Sequence, residues 1–264
     1  LQKHPINGHI SVTTTSQERI EELETLADSV IFLETPYQAA LEVALESADA
    51  LVISIAPKQG STYKETYVDT AKFICSILKQ RQKPLHITYI SSTSVYSGID
   101  TDEATEDLCL APSFESSKIL HEAENLYLSL PFEVCILRLG GIYGPNRTLE
   151  ARARMLSGRQ MPTMGSEPTN HIHLSDIVSA LTFSLEHSLS GIYNLVGDWH
   201  PSKKTLYTSL CKSLGFNEPQ WSLKSDLGYR VSNQKIKDKG FVFDYSEMPS
   251  EIKACLNTFG MDEP

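Results

Sequence analysis

Hydroxyl-rich and glycine-rich stretches follow the buried apolar runs of this sequence, and their residue types could bind and polarise a small molecule. The run 86–91 continues into Ser92, Thr93 and Tyr96, and the run 133–139 continues into Gly140 and Gly141. Open parallel sheets bind ligands at the carboxyl ends of their strands. We therefore expect a small-molecule site where these two stretches meet.

The elements that must position these residues alternate along the chain. Apolar, β-branched runs predict buried strands at 9–14, 29–33, 50–56, 86–91 and 133–139. Helical spacing of apolar residues predicts helices over 63–79 and 117–128, and Thr35 followed by Pro36 is typical of a helix start. This alternation predicts an α/β fold with a doubly wound parallel sheet.

After Pro145 the pattern becomes irregular. Ser175 and Asp176 are predicted to cap an amphipathic helix, and 191–197 is predicted to be a strand. A helix over 202–214 is expected to stop at Gly215. We expect residues 1–145 to form a nucleotide-binding domain and residues 146–264 to form a smaller α/β cap interleaved with its sheet.

Composition excludes several function classes. The 264 residues carry 23 basic and 33 acidic side chains, a formal charge of −10. This charge argues against nucleic acid or an anionic membrane as the main partner. No apolar run is long enough to span a membrane. Five scattered cysteines without metal-type spacing predict reduced thiols and a cytoplasmic location.

Five segments in a fixed order resemble the short-chain dehydrogenase/reductase superfamily, in its extended and atypical branch of NAD-dependent epimerases and dehydratases. The segments are SSTSVYSG, SSKILHEAE, RLGGIYGPNR, HIHLSDIVSAL and GIYNLVG. The resemblance runs through nearly the whole chain. It implies a Rossmann-like fold and hydride chemistry on a sugar or sugar-nucleotide-like small molecule, with NADP or NAD as cofactor.

The resemblance also implies catalytic roles. Ser92, with Thr93 beside it, stands where the family has a substrate-orienting hydroxyl, and Lys118 stands where it has the ribose-binding lysine. The family's acid/base tyrosine is replaced by Phe114, which cannot transfer a proton. A replacement could come, in order of preference, from Tyr96, Tyr143 or Glu115. Each of these also has an ordinary interpretation as a packing or solvated residue.

Cofactor contacts are implied at several strand ends. The predicted set comprises Thr15, Ser16, Arg19, Ala56, Pro57, Ser91, Lys118, Gly140, Gly141 and Ile142. Hydroxyls and Arg19 at the tip of the first run, where no acid stands, favour NADP slightly. Residues 1–8 resemble the end of the family's first helix, so its first strand and glycine-rich loop are expected to be missing by truncation.

Substrate contacts are implied at Tyr143, Arg230 and Asn233. His171 and His173 would share one face of a strand, but no third ligand is evident, so no metal is expected. The family often forms homodimers through helices equivalent to 63–79 and 117–128. Both helices also have enough apolar residues for core packing alone.

Three functions remain open from the sequence. The first is an NAD(P)-dependent epimerase/dehydratase-like oxidoreductase. The second is a catalytically impaired NAD(P)-binding sensor or scaffold, which Phe114 favours. The third is a structural partner that binds no nucleotide. Turnover separates the first from the second, and nucleotide binding separates the second from the third.

Overall fold

A computed structural model describes residues 8–33, 38–58, 60–110, 112–225 and 228–258. Its strands are Ser11–Thr14 (β1), Ser29–Phe32 (β2), Ala50–Ile53 (β3), His86–Ser92 (β4), Glu103–Ala104 (β5), Glu133–Leu139 (β6), Gly141–Tyr143 (β7), His171–His173 (β8), Gly191–Leu195 (β9) and Arg230–Val231 (β10). Its α-helices are Ile20–Glu24 (α1), Gln38–Ser47 (α2), Thr70–Leu78 (α3), Glu115–Leu128 (α4), Leu149–Leu156 (α5), Leu174–Glu186 (α6), Lys203–Ser213 (α7), Gln234–Asp238 (α8) and Ser250–Thr258 (α9). The predicted helix start at Thr35 and Pro36, and the predicted helix end in residues 1–7, lie outside these ranges.

The main sheet has four parallel strands in the order β3, β4, β6, β9. Strands β1 and β2 form a second parallel pair. The α/β fold with parallel sheets is therefore confirmed. In the described ranges β1 and β3 are not hydrogen bonded to each other, so the pair β1–β2 is separate from the four-stranded sheet.

The central strands are buried on both faces, which explains their unbroken apolar sequence. Along β6, Val134 and Ile136 face a core shared with α3 and α4. The alternate residues Cys135 and Leu137 face a second core shared with α6. Side chains alternate across a strand, so β6 fills both cores in turn. Helices thus cover both faces of the sheet at β6.

Helix boundaries agree with the sequence in some places and differ in others. The Ser202 hydroxyl accepts a hydrogen bond from Thr205 N at 3.0 Å and starts α7, and Gly215 has a φ of +70° just after its end. Residues Glu65–Asp69 form a π-helical segment that leads into α3. The predicted cap at Ser175 and Asp176 is wrong, because α6 begins at Leu174.

The C-terminal part interleaves with the N-terminal part at strand level. Strand β9 pairs with β6 in the main sheet, β8 pairs with β7, and β10 pairs with β5. Helices α5, α7 and α9 surround a third core that includes Leu149, Leu206 and Ile252. The division into a nucleotide-binding domain and a substrate cap stays a prediction.

Candidate functional site

The carboxyl ends of β4 and β6 lie side by side. The two strands are parallel, and Ser92 is in register with Leu139. The hydroxyls that follow β4 and the glycines that follow β6 therefore share one edge of the sheet. This edge is the candidate site, as the positions of the motifs predict.

A short turn fixes the end of β4. The Ser92 hydroxyl accepts hydrogen bonds from Ser94 N at 3.2 Å and from the Ser94 hydroxyl at 2.9 Å. Residues Thr93–Tyr96 then form one turn of 3₁₀-helix. Ser92 and Thr93 are both half-buried. Ser92 thus caps this turn, and its substrate-orienting role stays a prediction.

Tyr96, the last residue of this turn, is shielded from solvent. It is fully buried, its hydroxyl donates to Asn194 Oδ1 at 2.9 Å, and it accepts from Arg138 Nη1 at 2.8 Å. Burial raises the pKa of Tyr96 more than Arg138 lowers it. Its single proton is already committed, so proton transfer to a ligand would break this core bond. This position disfavours Tyr96 as the replacement acid/base.

A buried ion pair extends the same network. Arg138 donates to Glu124 from Nε at 3.0 Å and from Nη2 at 2.6 Å, and the two side chains are 2% and 0% exposed. The Ser91 hydroxyl also donates to Glu124, at 2.5 Å. Ser91 was predicted to contact a cofactor, but its hydroxyl is turned into the core. The network joins β4, α4 and β6 beneath the site.

The start of α4 packs on the same turn. Ser117 donates its hydroxyl proton to the carbonyl oxygen of Ser94 at 2.8 Å. Phe114 precedes the helix and is 58% exposed, and Glu115 is exposed in the first turn. Lys118 is exposed and borders a surface groove of about 460 Å³ along the outer face of α4. Its ribose-binding role stays a prediction.

The glycines after β6 pack against the protein itself. Gly140 N donates to Leu195 O at 3.0 Å, and Gly141 N donates to Asn170 O at 2.7 Å. A Cβ at Gly140 would lie 2.6 Å from the Asn170 carbonyl oxygen. This close approach explains Gly140 without a ligand. The predicted cofactor contacts of Gly140, Gly141 and Ile142 stay predictions.

Tyr143 ends β7 among aromatic rings. Its ring meets those of His173 and Trp199 edge-on, at centroid distances of 5.0 and 5.9 Å. Burial, with a smaller contribution from Asp176, raises the pKa of Tyr143 to about 12. Its hydroxyl oxygen is shielded from solvent. Tyr143 also borders a cavity of about 240 Å³ whose wall includes Gly144, Pro145, Thr148, Glu150, His173 and Ile252.

Three asparagine side chains hold the segment 229–233. Asn170 donates from Nδ2 to Tyr229 O at 3.0 Å and accepts from Val231 N at 2.9 Å. Asn194 donates from Nδ2 to Ser232 O at 3.0 Å. Asn233 donates from Nδ2 within the protein as well, to Val196 O at 2.7 Å and to Asp198 Oδ1 at 2.8 Å.

The substrate contacts predicted for this segment stay predictions. Arg230 is exposed, so its side chain is accessible to a ligand. Asn233 is 6% exposed. Because the Asn233 amide donates within the protein, its visible role is to hold the segment in place.

Tyr229 was missed by the sequence reasoning. It is half-buried, and its ring meets the Tyr96 ring edge-on at 6.1 Å. Burial raises the pKa of Tyr229, and a hydrogen bond with the Ser97 side chain lowers it by less. The only signal in the sequence was its place directly before Arg230. The Tyr229 ring therefore lies beside Tyr96, the last residue of the turn that Ser92 begins.

A second cluster lies at the tip of β1. The Thr14 hydroxyl accepts from Ser16 N at 3.1 Å and shapes the turn that carries Thr15. Lys58 Nζ contacts the Thr15 hydroxyl. Arg19 Nε lies 3.5 Å from a carboxylate oxygen of Glu22, and both side chains are exposed.

The residues between β3 and Lys58 belong to the same cluster. Ala56 and Pro57 are exposed and lead into Lys58. Lys58 is absent from the predicted cofactor set. It contacts the predicted residue Thr15 and directly follows the predicted residues Ala56 and Pro57. Cations and hydroxyls are suitable partners for phosphate oxygens.

The described residues offer neither a metal-binding cluster nor a membrane-spanning helix. No group of three or more His, Cys, Asp or Glu side chains there could hold a metal ion. His173 uses Nδ1 to accept from Ser175 N at 3.2 Å, and the His171 ring stacks on Trp199 at 5.2 Å. In those same ranges, no helix combines the length and apolar character needed to cross a bilayer.

Comparison with solved structures confirms the fold. A dTDP-glucose 4,6-dehydratase from Bacillus anthracis, solved with NAD, has 18% identity and a TM-score of 0.71 over 94% of this chain and 85% of its own. A UDP-glucuronic acid 4-epimerase from Bacillus cereus, solved with NAD and UDP-glucuronic acid, has 18% identity and a TM-score of 0.72 over 96% and 90%. A human epimerase family protein with NADPH has 17% identity and a TM-score of 0.66 over 94% and 98%. No family model and no curated protein matches the sequence.

Proposed function

We propose that this protein binds a nicotinamide dinucleotide, NADP or NAD, and carries out hydride chemistry on a small molecule of the sugar or sugar-nucleotide class. The observation that carries the proposal is the shared edge of β4 and β6. There the Ser92 turn, the start of α4 and the glycines after β6 come together. The dehydratase, the epimerase and the human protein described above have the same fold and were solved with NAD or NADPH.

The chemistry of the donor set supports a dinucleotide. Thr15, Ser16, Lys58 and Arg19 offer hydroxyls and cations at the tips of β1 and β3, and such groups suit a phosphate or a ribose. No acidic residue stands at 13–16, where a carboxylate would select the ribose hydroxyls of NAD. This composition favours NADP.

The bound dinucleotide would supply the hydride, so the chain itself must bind, orient and polarise. Ser92 would orient the reacting oxygen of the substrate from the end of β4. Lys118 would hold the ribose of the cofactor. Exposed Arg230, on the segment that the asparagines hold rigidly, would contact the far end of the substrate. The cavity beside Tyr143 is large enough for part of a sugar.

Nucleotide titration tests the proposal. NADPH and NADH fluorescence would be followed with the wild-type chain and with Lys118→Ala. We expect binding of both nucleotides and a loss of about 10-fold or more for Lys118→Ala, since a hydrogen bond to a charged group contributes about 1.5–3 kcal/mol. Lys79→Ala, which changes an exposed lysine just after the end of α3, is the matched control and should bind normally.

Cofactor choice has its own variants. Lys58→Ala and Arg19→Ala should weaken NADPH more than NADH, because only NADPH carries the 2′-phosphate. Equal losses for both nucleotides would remove the argument for NADP. Absence of binding for both nucleotides would contradict the proposed function as a whole.

A second candidate function is nucleotide binding without turnover. Phe114 favours it, because its ring replaces a proton-transferring phenol and is 58% exposed at the start of α4. Such a protein would bind NADPH and oxidise none of it, whatever carbonyl compound is offered. A turnover assay with NADPH therefore distinguishes the sensor from the enzyme.

A further inference from the structure

Arg230 begins strand β10, and one edge of this strand is paired with β5. Arg230 N donates to Asp102 O and Ser232 N donates to Ala104 O, both at 2.9 Å. Successive backbone groups of a strand alternate between its two edges. The carbonyl oxygen just before Arg230 and the amide just after it therefore face away from β5, where they need other partners.

The side chain of Asn170 supplies both of these partners. Its Nδ2 donates to Tyr229 O at 3.0 Å, and its Oδ1 accepts from Val231 N at 2.9 Å. A side-chain amide offers the same donor and acceptor as a peptide group, so Asn170 takes the place of a neighbouring strand. The backbone is thereby held directly before and directly after Arg230.

The main chain of Asn170 is bound to the glycines that follow β6. Its carbonyl oxygen accepts from Gly141 N at 2.7 Å, and a Cβ at Gly140 would lie 2.6 Å from the same oxygen. Asn170 therefore contacts the predicted cofactor-binding glycines with its main chain and the segment of Arg230 with its side chain. One residue connects the two predicted binding segments.

The Arg230 side chain lies on the exposed face of β10. The next residue, Val231, is 2% exposed and packs in a core with Val95 and Tyr96. Side chains alternate along a strand, so Arg230 points away from this core. Among the described residues Arg230 forms no ion pair, although Glu103 is its register partner on β5. A guanidinium in this position suits a phosphate or a carboxylate.

We propose that Asn170 is a positioning residue, which holds Arg230 relative to the glycines after β6 so that the guanidinium binds an anionic group of the substrate. The anionic group is a phosphate or a carboxylate. The proposal rests on the proposed function, which places these glycines at the cofactor and Arg230 at the substrate. A displacement of a positioned group by about 1 Å can cost about 10²-fold, so loss of the two amide contacts should lower the affinity for the substrate.

Calorimetric titration tests the proposal with wild type, Arg230→Ala, Asn170→Ala and the double variant. The probes are UDP-glucose, which carries a diphosphate alone, and UDP-glucuronic acid, which carries a carboxylate as well. We expect Arg230→Ala to weaken binding about 10-fold or more, because a hydrogen bond to a charged group is lost. Asn170→Ala should weaken it about 5-fold or more. Equal losses for both probes assign the diphosphate, and a larger loss for UDP-glucuronic acid assigns the carboxylate.

The double variant distinguishes positioning from a general loss of structure. If Asn170 acts through Arg230, the change Asn170→Ala should weaken binding by less than about twofold in the Arg230→Ala protein. A general loss of structure would instead multiply the two single effects. The NADPH affinity of Asn170→Ala should stay within about twofold of wild type, because its main-chain bond with Gly141 is kept.

Thr169→Val is the matched control at the neighbouring residue. It removes the hydrogen bond that the Thr169 hydroxyl donates to Pro201 O at 2.8 Å, and it should bind both sugar nucleotides like wild type. If Asn170→Ala does not fold, Asn170→Asp takes its place, since the carboxylate keeps an acceptor and loses only the donor. It should weaken binding about 5-fold or more, again only while Arg230 is present.

Four results would overturn the proposal: sugar-nucleotide affinity of the Asn170 variant within twofold of wild type, single effects that multiply in the double variant, an equal loss in Thr169→Val, or no binding of either sugar nucleotide by a wild type that binds NADPH. Failure of wild type to bind NADPH or NADH would instead contradict the proposed function. The two failures therefore appear in different titrations.

Discussion

Replacing Glu124 with glutamine should weaken the whole fold. The Glu124 carboxylate meets Arg138 at 2.6 and 3.0 Å, and both side chains are shielded from water. Glutamine keeps the shape but removes the charge, and it leaves a buried guanidinium without a counter-ion. Removing one partner of a buried ion pair costs about 3–5 kcal/mol. Domains of this kind have about 5–15 kcal/mol in total, so the loss is severe.

Urea unfolding measures this effect. For an unfolding slope of about 2 kcal/mol per M, the midpoint should fall by about 1.5–2.5 M while the slope stays unchanged. Glu122→Gln is the matched control on the same helix. Its carboxylate lies 3.3 Å from Lys72 Nζ, and both side chains are about half exposed. Such surface pairs contribute about 0–1 kcal/mol, so the control should unfold close to wild type.

A double variant tests whether Glu124 and Arg138 stabilise the fold as a pair. In Glu124→Gln combined with Arg138→Met, no buried charge is left unpaired, so part of the stability should return. If the double variant loses the sum of the two single losses, the two side chains are not coupled. A loss below about 1 kcal/mol in Glu124→Gln alone would show that the pair is not buried in solution.

Three further outcomes follow from the same contacts. Tyr96→Phe should lower the free energy of unfolding, measured in urea, by about 1–3 kcal/mol. It leaves a guanidinium N–H of Arg138 and the amide oxygen of Asn194 in the core without their hydrogen-bond partner. Gly140→Ala should cost about 1–3 kcal/mol, since its Cβ would lie 2.6 Å from the backbone oxygen of Asn170. Burial is the largest cause that lowers the pKa of His171 to about 4. The unfolded chain then binds the extra proton first, so stability should fall by up to about 3 kcal/mol as pH drops from about 6.5 to 4, and His171→Asn should remove this dependence.

The parts of the fold that follow from local patterns could be predicted. The run Glu133–Leu139 has the same bounds as β6, because its alternate residues fill two cores and both faces had to be apolar. The start of α7 at Ser202 and its stop before Gly215 also follow from short-range rules. In each case the residues that decide the structure lie within one or two turns of it.

Short-range rules do not predict contacts between segments that are far apart in the sequence. Asp176 has the residue type and position of a helix cap, yet its carboxylate accepts from Asp244 N at 2.8 Å and from Tyr245 N at 3.2 Å. The capping bond at α6 comes from the His173 ring instead. The sequence around position 176 carries no signal for a contact with residues 244 and 245. The same holds for Ser91, a predicted cofactor contact, whose hydroxyl donates to the distant Glu124.

The same distinction between local patterns and distant contacts applies to the chemistry of the site. A local pattern considers one position just before α4 and finds Phe114, which by itself indicates a protein without proton transfer. A phenol needs only to reach the reacting oxygen, and the chain can carry it on any segment that passes the edge of the sheet. Tyr229 directly precedes β10, far along the sequence from Phe114, and its ring lies 6.1 Å from that of Tyr96. The replacement at position 114 therefore moves the question of catalysis to other segments of the chain, which spacing around Phe114 alone cannot identify.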